Sequence, residues 1–403
     1  MTINPVVDET PVIEKMPGLG EYTEQARAQR LEWYRSATGT SLDALREPGV
    51  PAELVRGNIE NFVGTIDVPV GLAGPLLFDG EHARGPIIAP MATVEGAVLA
   101  STARGARAMT DSGGVVTRVL RQRMTRVPGF GFGSLEQAAR FARWVPLQFD
   151  QLSARVREAS RHALLLDVEA VQIGRDVHVR FCYETADATG QNMTSATTWH
   201  ACQWILDHVV ELSGVDVLWF IIEANMACDK KAASLNTIGG RGYRVVAETL
   251  LTREAIERVL KTTPEMLHRT LQVFDDAAWH SGALGADVDA ANVLAAMFIA
   301  TGQDAASVFE SGTAMISSRF EGDDLLITLT LPSLLVATVG GGTGLPQQQA
   351  FLEALGCAGP GKARRLAEIV TGFCLALDIS TVSAIAAGQF VAAHEQLGRN
   401  KRL

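Results

Sequence analysis

The spacing of apolar and polar positions divides the chain into stretches of different period. A polar, proline-punctuated opening runs to about residue 55 and holds one helical stretch, Thr23 to Ser36, with Leu31, Trp33 and Tyr34; it reads as an arm that packs on something else. An alanine-rich run from Val94 to Met109 predicts a buried helix with Glu95 in its first turn. Helical spacing recurs over Leu135 to Phe141 and Gln151 to Leu165, whereas alternation at Val177, Val179, Phe181 and Tyr183 predicts a half-buried strand. After the turn Asp187-Ala-Thr-Gly190, a helix carries Trp199, Cys202, Leu206 and Val209 on one face, and the apolar run Val217 to Ile222 predicts a buried strand. A helix over Val293 to Thr301, a strand at Leu325, Ile327, Leu329 and Leu331, and an alanine-rich helix from Ser380 to Leu397 complete the pattern. Its changes near 120 and 222 set off a small α+β module.

Composition narrows the function classes. A chain of 403 residues is long for one core and predicts two or three domains, one of them inserted in another. A formal charge of -10 lacks the basic face that nucleic acid requires, so small-molecule partners are expected. Cys182, Cys202, Cys228, Cys357 and Cys374 form no C-x-x-C pair, which predicts neither a metal centre nor a disulfide framework and fits a reducing cytoplasm. The acidic first thirty residues do not resemble a signal peptide, and Val217 to Ile222 is too short to span a bilayer; no membrane association is expected.

Several residues could carry chemistry, each with a plainer alternative. Asp229-Lys230-Lys231 would ordinarily be a solvated charge cluster, but it follows an apolar strand and precedes Ala232-Ala233, which places a charge near buried surface. A lysine so placed could hold a carbonyl oxygen as it becomes an oxyanion. Asp304 closes the helix that begins near Asn292 and could equally be a cap; Glu95 could be stabilised merely by a helix dipole; His394 could be a packed or exposed histidine. Neither Gly340-Gly-Gly-Thr-Gly344 nor Gly129-Phe-Gly-Phe-Gly133 fits the dinucleotide fingerprint G-x-G-x-x-G, so a Rossmann fold is not expected, and either cluster could be a tight turn.

Taken in order, the motifs resemble those of the 3-hydroxy-3-methylglutaryl-CoA (HMG-CoA) reductase family. They include Glu60-Asn61-Phe-Val-Gly64, Val68-Pro-Val-Gly-Leu-Ala-Gly-Pro-Leu76, Pro90-Met-Ala-Thr-Val-Glu-Gly96, Ser101-Thr-Ala-Arg-Gly105 and Met124-Thr-Arg126. They continue through Asp187-Ala-Thr-Gly-Gln-Asn-Met193, Cys228-Asp-Lys-Lys231, Gly240-Arg-Gly242, Ala290-Ala-Asn292, Gly302-Gln-Asp304, Thr338-Val-Gly-Gly-Gly-Thr-Gly344, Pro346-Gln-Gln348 and His394. The resemblance implies an α+β fold: an N-terminal arm over 1–56, a large substrate domain over 57–119 and 222–403, and an inserted ferredoxin-like NADP(H)-binding domain over 120–221. It also implies a cytoplasmic homodimer with the active site at its interface. The implied reaction is the four-electron reduction of an acyl thioester to an alcohol with NADPH rather than NADH, passing an aldehyde-level intermediate, as from HMG-CoA to mevalonate.

By the same resemblance Lys230 stabilises the oxyanion, Asp304 tunes it, Glu95 donates a proton to the aldehyde, and His394 protonates the leaving thiolate. Arg118, Glu223, Asn225, Asp229, Lys231 and Asn292 fall at substrate-binding or supporting positions. Ser160, Arg161, Asp187, Gly190, Asn192, Met193 and Arg399 fall at cofactor positions, arginine being suited to a 2′-phosphate. The departures gather around substrate recognition. The family's carboxylate-binding lysine has no counterpart between Leu267 and His280; Glu223 replaces a serine, Asp289 a histidine and Ala103 an asparagine; and the tyrosine near the coenzyme A adenine is absent from Ala52 to Ile59. A paralogue that reduces another acyl thioester, on coenzyme A or a carrier protein, is therefore an alternative. A non-catalytic binding homologue is disfavoured by retention of Glu95, Lys230, Asp304 and His394.

Overall fold

The computed structural model describes residues 15–45 and 48–391, which fall into two compact units, Met1–Asp67 and Val68–Leu403. In the first, helix α1 (Glu24–Thr38) starts where the Thr23 hydroxyl accepts the Ala26 N–H and stops at Gly39, whose φ of 68° suits a left-handed cap. Two buried arginines on α1 tie down the strandless chain that follows: Arg30 donates to the Phe62 carbonyl and Arg27 to that of Val63. These bonds hold the stretch through Val63 against α1, within the compact unit that runs to Asp67.

The second unit opens with an antiparallel hairpin, β1 (Val70–Asp79) and β2 (Arg84–Ala92), followed by helix α2 (Val98–Asp111). Then come strands β3 (Val116–Arg126) and β4 (Gly129–Phe132), helices α3 (Leu135–Trp144) and α4 (Phe149–Ala159), and strands β5 (Leu164–Ile173) and β6 (Asp176–Glu184). Helix α5 (Gln191–Ser213), strand β7 (Val217–Ile221), helix α6 (Ser234–Gly239) and strand β8 (Gly242–Leu251) follow. The chain continues with α7 (Pro264–Ser281), α8 (Ala290–Thr301), β9 (Met315–Glu321), β10 (Asp324–Leu334), α9 (Pro346–Ala354) and α10 (Ala363–Ala386).

One antiparallel sheet runs β7-β4-β6-β3-β8-β10-β9, with β5 on β6. Strand β3 bridges two hydrophobic cores: its first part pairs with β8, and Met124 to Arg126 pair with β6. One core draws on β1, β2, α2, β8, β10 and α10; the other is built between Met124 and Val215 with Leu335. Within the latter, β4-α3-α4-β5-β6-α5-β7 closes in the strand order β7-β4-β6-β5. Helix α10 is long and apolar enough to cross a bilayer, with mean hydropathy 1.8, but 89% of that window is buried inside the protein. It packs on α2, where Gly105 admits the backbone of Ala376. Buried Glu368 on α10 also accepts the N–H groups of His82 and Ala83 in the β1–β2 turn.

Four expectations change. The predicted helix Gln151 to Leu165 ends at Ala159, because the Ser160 hydroxyl accepts the N–H groups of His162 and Ala163 in a turn that leads into β5. Strand β7 is an edge strand pairing β4 alone among the described strands, so Leu218, Trp219 and Ile221 are exposed and not buried. On α5, Trp199 is likewise exposed, and the buried face runs through Thr198, Cys202, Ile205 and Val209. The helix predicted over Ser380 to Leu397 is interrupted after Ala386, where Gly388 adopts a φ of 68° and its N–H returns to the Ile385 carbonyl; Phe390 and Val391 are again helical, and 392–397 lie outside the described residues.

Candidate active site

The loop leaving β7 gathers three non-glycine residues of positive φ within six positions. Asn225, Cys228 and Lys230 all adopt positive φ (65°, 54° and 55°), a conformation that costs non-glycine residues energy and persists only when surroundings enforce it. The enforcement is visible. Glu223 accepts the N–H of Asn225 at 2.8 Å and pairs with Arg126 at 2.9 Å; the Lys231 ammonium donates to Asn225 Oδ1 at 2.9 Å; buried Asn236 donates to the Cys228 carbonyl. Beneath lies Arg241, fully buried, 2.9 Å from Asp229 and 2.7 Å from equally buried Glu310, whose other oxygen accepts the Lys230 N–H at 3.3 Å. Burial pushes the Glu310 carboxyl upward while Arg241 opposes the shift.

This scaffold presents the Lys230 ammonium 3.0 Å from the Asp304 carboxylate, with both side chains around two-fifths exposed. Asp304 is placed by its own motif. Gly302 ends α8 with a φ of 70° and lies against Gly342, where any side chain would strike the Gly342 carbonyl; Gln303 clasps Ala337 by bonds of 2.7 and 3.0 Å; the other Asp304 oxygen accepts the Ala306 N–H. The glycine run near 342 is thus a close-approach turn for this carboxylate.

A cleft of about 310 Å³ contains Glu95 and Asn292 together, with Asp289 and Arg104 on its walls. Glu95 precedes α2 and is not in its first turn: Ala97, at φ 73°, is the residue before the helix, and the exposed Glu95 points from the preceding bend. A second cleft, of about 740 Å³, shares Arg104 and adds Arg107, Arg258 and Lys261 against one lining acid, Asp111. These cations escaped the sequence reading; Arg104 stands in a quoted motif, but only folding brings α2 beside Arg258 and Lys261.

Residues expected to meet the cofactor are less closely gathered. Gly190, at φ 77°, caps α5 without a side-chain bond, leaving the first amides of that 23-residue helix, from Gln191, Asn192 and Met193, suited to a phosphate. Asp187 instead spends both carboxylate oxygens on the N–H groups of Gly361 and Ala363 at the start of α10. Ser160 and exposed Arg161 lie at the end of α4, and Arg118 directs its guanidinium to the carbonyls of Asp79 and Thr117. His394 and Arg399 lie outside the described residues.

The profile of the family described as Hydroxymethylglutaryl-coenzyme A reductase matches residues 26–399. The chain belongs to this family. It is 42% identical over 390 residues to 3-hydroxy-3-methylglutaryl-coenzyme A reductase of Aeropyrum pernix, covering 94% of this chain and 91% of that one. It is 40% identical to 3-hydroxy-3-methylglutaryl-coenzyme A reductase 1 of Arabidopsis thaliana, covering 94% of this chain and 65% of that one. In fold it is similar to the class II 3-hydroxy-3-methylglutaryl-CoA reductase of Streptococcus pneumoniae bound to NADPH, with a TM-score of 0.65 and 19% identity over 89% of this chain and 96% of that one. For an HMG-CoA reductase family member, the pairing of Lys230 with Asp304 and the cleft shared by Glu95 and Asn292 are the groupings to which chemistry must be assigned.

Proposed function

We propose that the protein reduces an acyl-CoA thioester to the corresponding alcohol, consuming two NADPH and two protons and releasing free coenzyme A. The observation that carries this reading is the Lys230–Asp304 pair, solvent-accessible yet mounted on a buried ion pair, in a chain of the HMG-CoA reductase family. Each of the two reductions places negative charge on the former carbonyl oxygen, and a preorganised ammonium offsets such charge where a mobile one cannot. Lys230 takes that role, with Asp304 fixing its direction. Glu95 delivers a proton to the aldehyde oxygen, Asn292 supports the cleft that both line, and His394 protonates the departing thiolate. Asp229, Lys231, Asn225 and Glu223 hold the loop, and Arg118 completes the substrate-side set.

When bound, NADPH supplies the hydride for each step. Gly190, Asn192 and Met193 at the start of α5 would receive its phosphates, with Asp187 fixing the turn and Ser160, Arg161 and Arg399 meeting the 2′-phosphate. The region 120–221 is read as a ferredoxin-like domain, a reading supported by the order β7-β4-β6-β5, inserted in a substrate domain formed by 57–119 and 222–403. The cation-lined second cleft favours the phosphates of coenzyme A over a carrier protein. The exposed apolar edge of β7 supports association into a homodimer; active sites at its interface and a cytoplasmic location are proposed on membership of the family.

HMG-CoA, the substrate in the relatives' name, is the first to test, with mevalonate as product. NADPH oxidation and thiol release are followed together. Two NADPH consumed per thiol released supports the proposal; thiol release without NADPH oxidation, or no turnover of any acyl-CoA, overturns it. A different acyl group is a second reading, which the lack of a lysine between Leu267 and His280 favours.

A further inference from the structure

The start of α5 is fastened to the loop that carries Lys230 by side chains that belong to neither catalytic grouping. Gln191, the first residue of α5, donates from Nε2 to Asp229 Oδ1 at 3.2 Å, and Asp229 immediately precedes Lys230. The same carboxylate oxygen is 2.9 Å from buried Arg241. A second tie runs through buried Arg126, which donates to the Gln191 carbonyl at 3.1 Å with one guanidinium nitrogen and to Glu223 at 2.9 Å with the other. The loop is therefore held at Glu223 and again at Asp229, both times from one residue of α5.

The turn before α5 also reaches the segment behind Asp304. The Thr338 N–H donates to the Asp187 carbonyl at 2.9 Å, and Thr338 follows Ala337, which is clasped by Gln303, the neighbour of Asp304. The turn from Asp187 to Gln191 thus lies between the carriers of Lys230 and of Asp304. The two connections differ in kind. Towards Asp304 the link is made by backbone, whereas towards Asp229 it is the half-buried side-chain amide of Gln191. The N–H of Gln191, like those of the rest of its helical turn, has no partner within its own helix. One residue therefore turns its backbone to the proposed phosphate site and its side chain to the lysine loop.

We propose that Gln191 is a positioning residue that couples occupancy of the cofactor turn to the placement of Lys230. A phosphate held on the first amides of α5 immobilises Gln191, whose side chain then steadies Asp229 and, through it, the left-handed Lys230 next in the chain. Lys230 needs such support because its φ of 55° costs energy that a slack neighbour would release. The consequence is chemical: hydride donor and oxyanion donor take their positions from the same residue, and a misplacement of about 1 Å in such an arrangement can cost roughly a hundredfold in rate. The inference rests on the thioester-reductase reading above.

Gln191→Met, which keeps side-chain length and helix propensity but removes the donor, tests it on the full-length protein. Amide hydrogen exchange is followed by mass spectrometry with and without saturating NADPH. In the wild type NADPH should slow exchange over residues 225–231 by about three- to tenfold, the worth of one net hydrogen bond. In Gln191→Met the slowing over 225–231 should fall below about twofold while that over 190–195 persists. The dissociation constant for NADPH should stay within about threefold of the parent, and kcat on the best acyl-CoA should fall by about tenfold or more. A wild-type loop indifferent to NADPH overturns the inference, and this arm needs no variant. Equal slowing in both proteins overturns it too, as does a variant of parental kcat. A variant that loses NADPH affinity but keeps kcat makes Gln191 a plain cofactor contact and overturns it as well. Because exchange is read without turnover, the reductase reading fails separately: no reduction of any acyl-CoA by a wild type whose loop responds to NADPH overturns that reading and leaves the coupling standing.

Discussion

Fully buried Glu310 accepts the backbone N–H of Lys230 with one carboxylate oxygen and holds Arg241, at 2.7 Å, with the other. A left-handed lysine in a surface loop is thereby fastened to the interior. Truncation to Glu310→Ala leaves Arg241 buried with Asp229 as its remaining acid, and breaking a buried pair from one side costs about 3–5 kcal/mol. Chemical denaturation should show a loss of that size, with a fall in kcat larger than any change in KM for NADPH. A loss below about 1 kcal/mol would show that the pair is not what holds the loop.

Lys230→Ala should abolish thioester reduction and leave dinucleotide binding nearly intact, since the ammonium acts on charge that develops in the transition state. Loss of one oxyanion donor is typically worth about 3–4 kcal/mol, or a factor of roughly 10²–10³ in kcat. NADPH affinity and turnover measured on one preparation check both halves of this expectation. Turnover within about threefold of the parent contradicts the assignment.

Helix α1, strand β6 with its alternating Val177, Val179, Phe181 and Tyr183, and helix α8 closed by Gly302 were legible because their signals are local: a cap, a period of two, a glycine stop. Strand β7 was misread since an apolar run states composition, whereas exposure depends on a distant neighbour, here β4 on one side alone. The end of α4 was missed because Leu164 and Leu165 fit a helical stripe as well as a strand, and a serine turn decided between them. Motif resemblance picked out Lys230 and Asp304, but it could not show that Arg241, in the quoted Gly240-Arg-Gly242, meets Glu310 under the loop. Nor could it show that the Asp289 side chain makes no cap bond, since that depends on the acceptor of the Asn292 N–H, here the Asp289 carbonyl.

Gly302→Ala probes the route by which Asp304 reaches Lys230. The residue has a φ of 70°, which suits glycine, and an added Cβ would strike the Gly342 carbonyl. Backbone strain and the forced separation together should cost about 2–4 kcal/mol. Because Asp304 lies two residues on, kcat should fall further than Asn292-dependent substrate binding does. A variant of parental thermal stability and parental kcat would mean that the two glycine segments separate freely.

The carboxyl groups at the start of α8 make stability depend on pH in an unusual direction. Burial, with Asp289 nearby, raises Asp287 to about 6 from an ordinary 3.8, and burial together with Asp287 raises Asp378 as well. Below about pH 4 Asp287 is protonated in both folded and unfolded chains and contributes no slope. Between about pH 4 and 6 the folded chain keeps the proton that the unfolded chain has released, so stability falls as pH rises. Above about 6 both are ionised and the loss, of order 3 kcal/mol, is complete. Asp287→Asn should therefore lose less stability than the wild type between pH 4.5 and 8, even if its stability at pH 4.5 is lower because one amide oxygen replaces two carboxylate oxygens as acceptors for Ala290 and Ala314. Thermal unfolding of both proteins at the two pH values isolates this residue, because the other titrating groups are common to both. Equal losses would mean that Asp287 ionises alike in the folded and unfolded chains, so that the three carboxyl groups around α8 are less confined than their burial implies.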